Sequence, residues 1–293
     1  MNIAYKYYPA NNYSFDAIKN KYFFFNKMSL QNDPYDASLS LIPKETLDRL
    51  IKLGRLTHKA GQIISNYATC SFSKSSTNKH LWAHYADNYS GFAIGFDEEN
   101  LHDFYFDKLQ IRVPYATINY IDTPLRDDNQ QKIIDENPLN INGWEHLTCN
   151  KISQLYGRDY ELTLQYYLLY IYSLKEKKTW KIEEEKRLIA MNDIVEKGNR
   201  NRNLRNGIQY LNNGYKLPMP IENVKEIIVG THFKDENLPL IIDFANGCPY
   251  VDCIKRIESS EPFKLELTTI WKKQITKSLA NSEPKEAIDL SNN

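Results

Sequence analysis

Residues 81–97 read LWAHYADNYSGFAIGFD, and this stretch changes its period half-way. At helical spacing Leu81, His84, Tyr85 and Asn88 share one face, while Trp82, Tyr85 and Tyr89 share the next. That predicts a helix from about 79 to 87. Gly91 then marks a turn, and GFAIGFD is a continuous apolar run of strand length. A short helix turning straight into a buried strand predicts a mixed α+β fold.

The flanking sequence extends the pattern. IAYKYYP reads as a strand closed by Pro9, SFDAIKN as a short helix with Ser14 as its N-cap, and KYFFFN as a second strand. ATCSFS (68–73) is a further strand, and two helices are expected between residues 36 and 65, broken at Pro43 and Gly54. Beyond the opening stretch, Asp97-Glu98-Glu99 starts a short helix and QIRVPYA is a strand. A polar segment from 122 to 143 and one or two tyrosine-rich helices over 145–176 follow. The 178–192 segment reads as a strand and 193–218 as a loop. VKEIIVG is a strand, LPLIIDFANG a helix with Gly247 past its end, and YVDCIKRI and FKLELTTI are closing strands. These intervals are irregular and no glycine-rich loop follows the first strand, which argues against a doubly wound dinucleotide fold. The expectation is one α+β domain over 1–277 with a mainly antiparallel sheet, flanking helices, a helical insertion at about 122–177 and a frayed polar tail at 278–293.

Composition narrows the function classes. The 293 residues carry 37 Lys plus Arg against 37 Asp plus Glu, so no net field draws the chain to nucleic acid or an anionic membrane. The longest apolar run, LTLQYYLLYIYSL (162–174), is well below the ~20 residues that span a bilayer, and no membrane association is expected. Cys70, Cys149, Cys248 and Cys253 lie at unrelated spacings and nothing resembles a leader, which places the protein in a reducing cytoplasm. Cys248 and Cys253 lack the second pair that a zinc site requires, so no metal is expected.

The chemistry-bearing residues concentrate in two places. On a strand, WKIEEEKRLIA (180–190) puts Glu183, Glu185 and Arg187 on one face, about 7 Å apart in succession. One ligand could then meet both acids while Arg187 holds an anionic group. A solvated strand, or a helix carrying a Glu183–Arg187 pair, fits the same letters. Opposite this row the helix at 79–87 offers His84 as a donor and Trp82 or Tyr85 as a stacking surface. His80 and His84 could chelate a metal, but no third ligand stands at matching spacing. Ser71 and Ser73 point the same way on their strand, without the strained elbow of a serine hydrolase. A nuclease arrangement of Asp252 with Glu184-Glu185-Lys186 is possible on paper and ranks last.

Five pieces recur in one order: Tyr5-Lys6-Tyr7, Asn32-Asp33-Pro34-Tyr35-Asp36, Cys70-Ser71-Phe72-Ser73, Leu81 to Asp87 with Gly91-Phe92, and Trp180 with Glu183-x-Glu185-x-Arg187. This order resembles the bacterial family catalogued as domain of unknown function 2971, over about residues 3 to 256. Lys186 stands where that family has an aromatic residue. A fainter likeness is to ADP-ribosyltransferases, which place a basic residue on an early strand, a serine-bearing strand in the middle and Glu-x-Glu late. The likeness implies NAD as substrate, with Glu185 facing the ribosyl centre, Glu183 assisting and His84 nearby. Lys6, Tyr7, Asn32, Asp33, Ser71, Ser73, Trp82, Tyr85 and Arg187 would contact the nucleotide. The expected function is a nucleotide-binding enzyme of the ADP-ribosyltransferase or NAD-glycohydrolase type, acting on a protein or RNA target as a phage-defence or toxin effector. The alternative is a non-catalytic ligand- or protein-binding module in a bacterial stress or defence system.

Overall fold

A computed structural model describes residues 2–27, 30–31, 67–109, 111, 113–123, 132, 173–191, 208–261 and 264–273. In chain order it gives β1 (Ile3–Tyr8), α1 (Asn12–Lys19), β2 (Tyr22–Lys27), β3 (Tyr67–Ser73), α2 (Lys79–His84), β4 (Phe92–Asp97) and α3 (Leu101–Leu109). There follow β5 (Tyr115–Thr117), β6 (Asn119–Ile121), β7 (Leu174–Glu176), α4 (Lys177–Trp180), β8 (Glu185–Met191), β9 (Gln209–Leu211) and β10 (Gly214–Pro218). The last elements are β11 (Val224–Val229), α5 (Leu238–Asn246), β12 (Cys253–Glu261) and β13 (Lys264–Lys272). The fold is α+β, and among the described residues all sheet pairings but two are antiparallel, the exceptions being β11 with β12 and β6 with β7.

The main path through the large sheet runs β13-β12-β11-β4-β1-β3-β2-β10-β9, with β8 and β5 continuing outward from β3. One feature of this sheet makes a cleft. Strand β3 pairs with β8 along its whole length, from Tyr67 opposite Met191 to Ser73 opposite Glu185. Its other edge is divided: β1 meets it at Tyr5 opposite Ser73, and β2 meets it at Asn26 and Lys27 opposite Thr69 and Ala68. Between those contacts β1 and β2 splay apart, leaving the middle of β3 at Cys70 and Ser71 open on that edge.

Alternation along β1 explains the two packed faces. Ala4 and Tyr8 join the large core with Ile18 of α1, Tyr105 of α3 and Phe244 of α5. Tyr5 points the other way, into a smaller cluster with Trp82, Ala86, Ala93, Ile228 and Ile257. Gly91 permits the close turn from α2 into β4, since a Cβ there would lie 2.0 Å from the Tyr8 carbonyl oxygen.

Several sequence expectations are corrected. The N-cap of α1 is Asn11, whose side chain accepts from the Ser14 amide at 2.9 Å, in place of Ser14 itself. The helix after Asn78 ends at His84, and Asp87, Asn88 and Tyr89 all adopt positive φ. Among the described residues of QIRVPYA, strand begins at Tyr115. The end of the expected 145–176 helix is strand β7, and the expected 193–218 loop contains the β9–β10 hairpin. The 178–192 strand begins only at Glu185: α4 and a 3₁₀ turn over Lys181–Glu183 precede it. Local capping overrides alternation there, because the Glu176 carboxylate accepts from the Lys178 and Thr179 amides at 3.0 and 2.7 Å and starts a helical turn. The helices expected within 36–65 and over most of the 122–177 insertion, and the 278–293 tail, lie outside the described residues.

Candidate functional site

A pocket of about 130 Å³ opens where β1 leaves β3. Strand β1 contributes Tyr5, Lys6 and Tyr7, and β3 contributes Ser71, Phe72 and Ser73. Leu81 and Tyr85 come from α2 and its C-cap, and the far wall is Lys175, Glu183 and Glu185. Seven of the expected site residues therefore meet in one hollow: Lys6, Tyr7, Ser71, Ser73, Tyr85, Glu183 and Glu185.

The acids converge by a route that alternation does not describe. Glu183 ends the 3₁₀ turn, Glu184 sits at φ 45° in the left-handed region, and Glu185 opens β8. This single left-handed residue turns both Glu183 and Glu185 inward, while Glu184 is exposed. The turn is anchored from β3, where the Ser73 hydroxyl donates to the Glu183 carbonyl at 2.8 Å. It is held on the other side by the Glu185 amide donating to the Tyr120 hydroxyl at 2.7 Å.

Both carboxylates are buried, at 4% and 5% exposure for Glu183 and Glu185, and both are partnered. Glu183 accepts from the Tyr85 hydroxyl at 2.6 Å and from the Lys175 ammonium at 3.0 Å, with His80 Nε2 at 4.0 Å. Glu185 accepts from Arg187 Nε at 2.6 Å and its terminal nitrogen at 3.0 Å, and lies 2.7 Å from Lys175 Nζ. Burial alone would raise the Glu185 pKa. The Arg187 and Lys175 charges and hydrogen bonds outweigh it and hold the group at about 2, so it is ionised at neutral pH. Lys175 also stands 4.5 Å from the centre of the Trp180 ring. Two acids and two bases thus form a charge-balanced quartet, and Lys6 adds a further cation across the pocket.

Three expected contacts are absent from this wall. Trp82 is fully buried, donates its indole N–H to the Ser76 carbonyl at 2.8 Å and stacks on Tyr89, so it is a core residue that no base could reach. His84 lies on the exposed side of α2 with its ring 4.4 Å from that of His80, because the helix ends there and rotates His80 toward Glu183. Arg187 is also fully buried and grips Glu185 from behind, leaving no fork for an incoming anion. Asn32 and Asp33 lie outside the described residues. The nuclease arrangement fails, since Lys186 points away from Glu185 and pairs with Glu98. Among the described residues no cluster of three His, Cys, Asp or Glu side chains is placed to hold a metal, and no helix is long and apolar enough to cross a membrane.

The residue that sequence reasoning missed is Lys175. It sits among Lys175, Lys177 and Lys178 in LKEKK, where nothing in composition singles it out. Only the pairing of β7 with β6, Leu174 opposite Asn119, carries it to the acids.

Residues 81–188 match the family model described as Protein of unknown function (DUF2971). The resemblance drawn from motif order holds over this span. The matched span contains Tyr85, Lys175, Glu183, Glu185 and Arg187, whereas Lys6, Ser71 and Ser73 precede it. No curated protein and no solved structure gives a significant match to the chain.

Proposed function

We propose that the pocket binds NAD or a related nucleotide and transfers or hydrolyses its ribosyl group, as an enzyme of the ADP-ribosyltransferase or NAD-glycohydrolase type. The observation that carries this reading is the pair of buried carboxylates facing one hollow beside Ser71, Ser73 and Lys6. When the bond from ribose to the base breaks, both electrons leave with the base, and the cationic nicotinamide ring of NAD departs neutral. The ribosyl carbon then carries developing positive charge, which preorganised anionic groups stabilise in a site sheltered from water. Glu185, held ionised, supplies that field. Glu183 accepts a ribose hydroxyl alongside Tyr85, and water or a nucleophile on a protein or RNA target adds to the carbon and loses a proton. A place in phage defence or as a toxin effector belongs to the same proposal.

Incubation of the full chain with NAD and cell extract, read as free nicotinamide, tests this. Release is expected for the wild type, with loss of at least a hundredfold in Glu185→Gln protein that retains its circular dichroism, and a partial loss in Tyr85→Phe. Absence of release by the wild type, or full release by Glu185→Gln, overturns it. A non-catalytic binding module is the second reading, favoured by the charge balance of the quartet: its salt bridges already satisfy both acids.

A further inference from the structure

The pocket does not end at Lys6. On the α1 side of β1 a second chamber of about 770 Å³ opens, and Lys6, Tyr7, Gln31 and Ser71 line both spaces. The two hollows therefore share a wall in the fork where β1 and β2 part.

The lobes differ in chemistry. The small lobe is dominated by the acid pair and Lys175. The large one is lined by the aromatic rings of Tyr8, Tyr13, Tyr22 and Phe24, and its polar groups include Asn26 and the Lys216–Asp16 ion pair. Tyr13 is 84% exposed, a large flat ring left to solvent at the edge of this space. Tyr8 also borders this lobe, with its hydroxyl buried and, among the described residues, without a hydrogen-bond partner.

At the junction stands a cation without a counter-ion. Lys6 is half-buried, and its ammonium reaches the Ser71 carbonyl at 3.5 Å, with the Tyr8 and Phe72 rings at 5.5 and 5.7 Å. Among the described residues no carboxylate lies within ion-pair distance of it. Lys175, Arg187, Lys186 and Lys216, by contrast, each have an acid. A half-buried ammonium left unpaired between two ligand-sized spaces matches an anionic group on the ligand.

We infer that the cleft takes a bipartite ligand joined through a diphosphate: a sugar ring at the acid pair, the diphosphate at Lys6, and an aromatic heterocycle in the chamber between α1 and β2. This deepens the proposed function, since it rests on a ribosyl group entering the small lobe, and it selects diphosphate-linked nucleotides over nucleosides and monophosphates.

Isothermal titration of the full chain with ADP-ribose, AMP and ribose 5-phosphate tests the inference. The terminal ribose of ADP-ribose carries no nicotinamide to release, so binding is read apart from chemistry. ADP-ribose is expected to bind at least tenfold more tightly than either half. Lys6→Met should lose at least tenfold of that affinity, and Lys6→Arg should retain most of it. Asn26→Trp, which fills the chamber, should weaken ADP-ribose to the level of ribose 5-phosphate without changing ribose 5-phosphate itself. Equal binding of ADP-ribose and its halves, or unchanged ADP-ribose binding in folded Lys6→Met protein, overturns it. If the wild type binds ADP-ribose as expected yet releases no nicotinamide from NAD, ribosyl transfer fails and bipartite binding stands.

Discussion

Two of the clusters that set lysine beside a carboxylate differ sharply in their access to water. In the site, Lys175 and Arg187 meet Glu183 and Glu185 with every side chain at 6% exposure or less. On the outside of α1, Asp16 accepts from Tyr22 at 2.7 Å and Lys216 at 3.3 Å, with the acid 46% and the lysine 24% exposed. Hydrogen bonds from Tyr22 and Lys216 lower the Asp16 pKa, as Arg187 and Lys175 lower that of Glu185. The shared direction hides a difference in consequence. Water can replace a lost partner of Asp16, whereas a lost partner inside the site leaves a charge stranded in a medium that solvates it poorly.

The largest test of that contrast is Arg187→Met. Removing one member of a buried ion cluster while its partner stays is expected to cost about 3–5 kcal/mol, read as a drop in the urea midpoint without a change in slope. A loss comparable to that of an exposed pair would show that water enters the quartet. Acid sharpens the same point. Glu185 has a folded pKa of about 2 against an ordinary value of 4.5, so its contribution to stability is full above about pH 4.5 and declines as pH falls toward 2. Urea unfolding in steps from pH 5 to pH 2 is expected to show this decline, reduced in Glu185→Gln. Lys216→Met on the open cluster should change stability by about 0–1 kcal/mol, and 0.5 M salt should shrink even that. Smallest of all, His84→Ala on the exposed side of α2 is expected to stay within ~0.5 kcal/mol in the same assay and to leave nicotinamide release intact. A large effect on release would restore His84 to the chemistry from which its position removes it.

The same physical division explains which parts of the site were readable. Apolar alternation and glycine or proline punctuation identified β1, β3, β4, β11 and the final hairpin, since those signals record burial that each strand must satisfy locally. Tyr85, Ser71, Ser73 and the Glu-x-Glu stretch have the chemistry of a site and do face the pocket. Trp82 and His84 have it equally and do not. A large aromatic and an imidazole suit a ligand and a protein interior equally well, and the rotation of α2 decides between them. The β9–β10 hairpin was missed because its Asn212-Asn213-Gly214 turn lies in a polar surrounding that reads as loop.

By itself the sequence determined an α+β chain, the order of its main strands and the segments that hold its acids, because side-chain period and turn chemistry act over a few residues. Tertiary structure alone decided that β1 and β2 fork over β3, that Glu184 turns left-handed so that Glu183 and Glu185 face inward together, and that Lys175 joins them. Those outcomes depend on strand pairing between residues far apart in the chain and on where water is excluded, and neither is encoded in any local pattern.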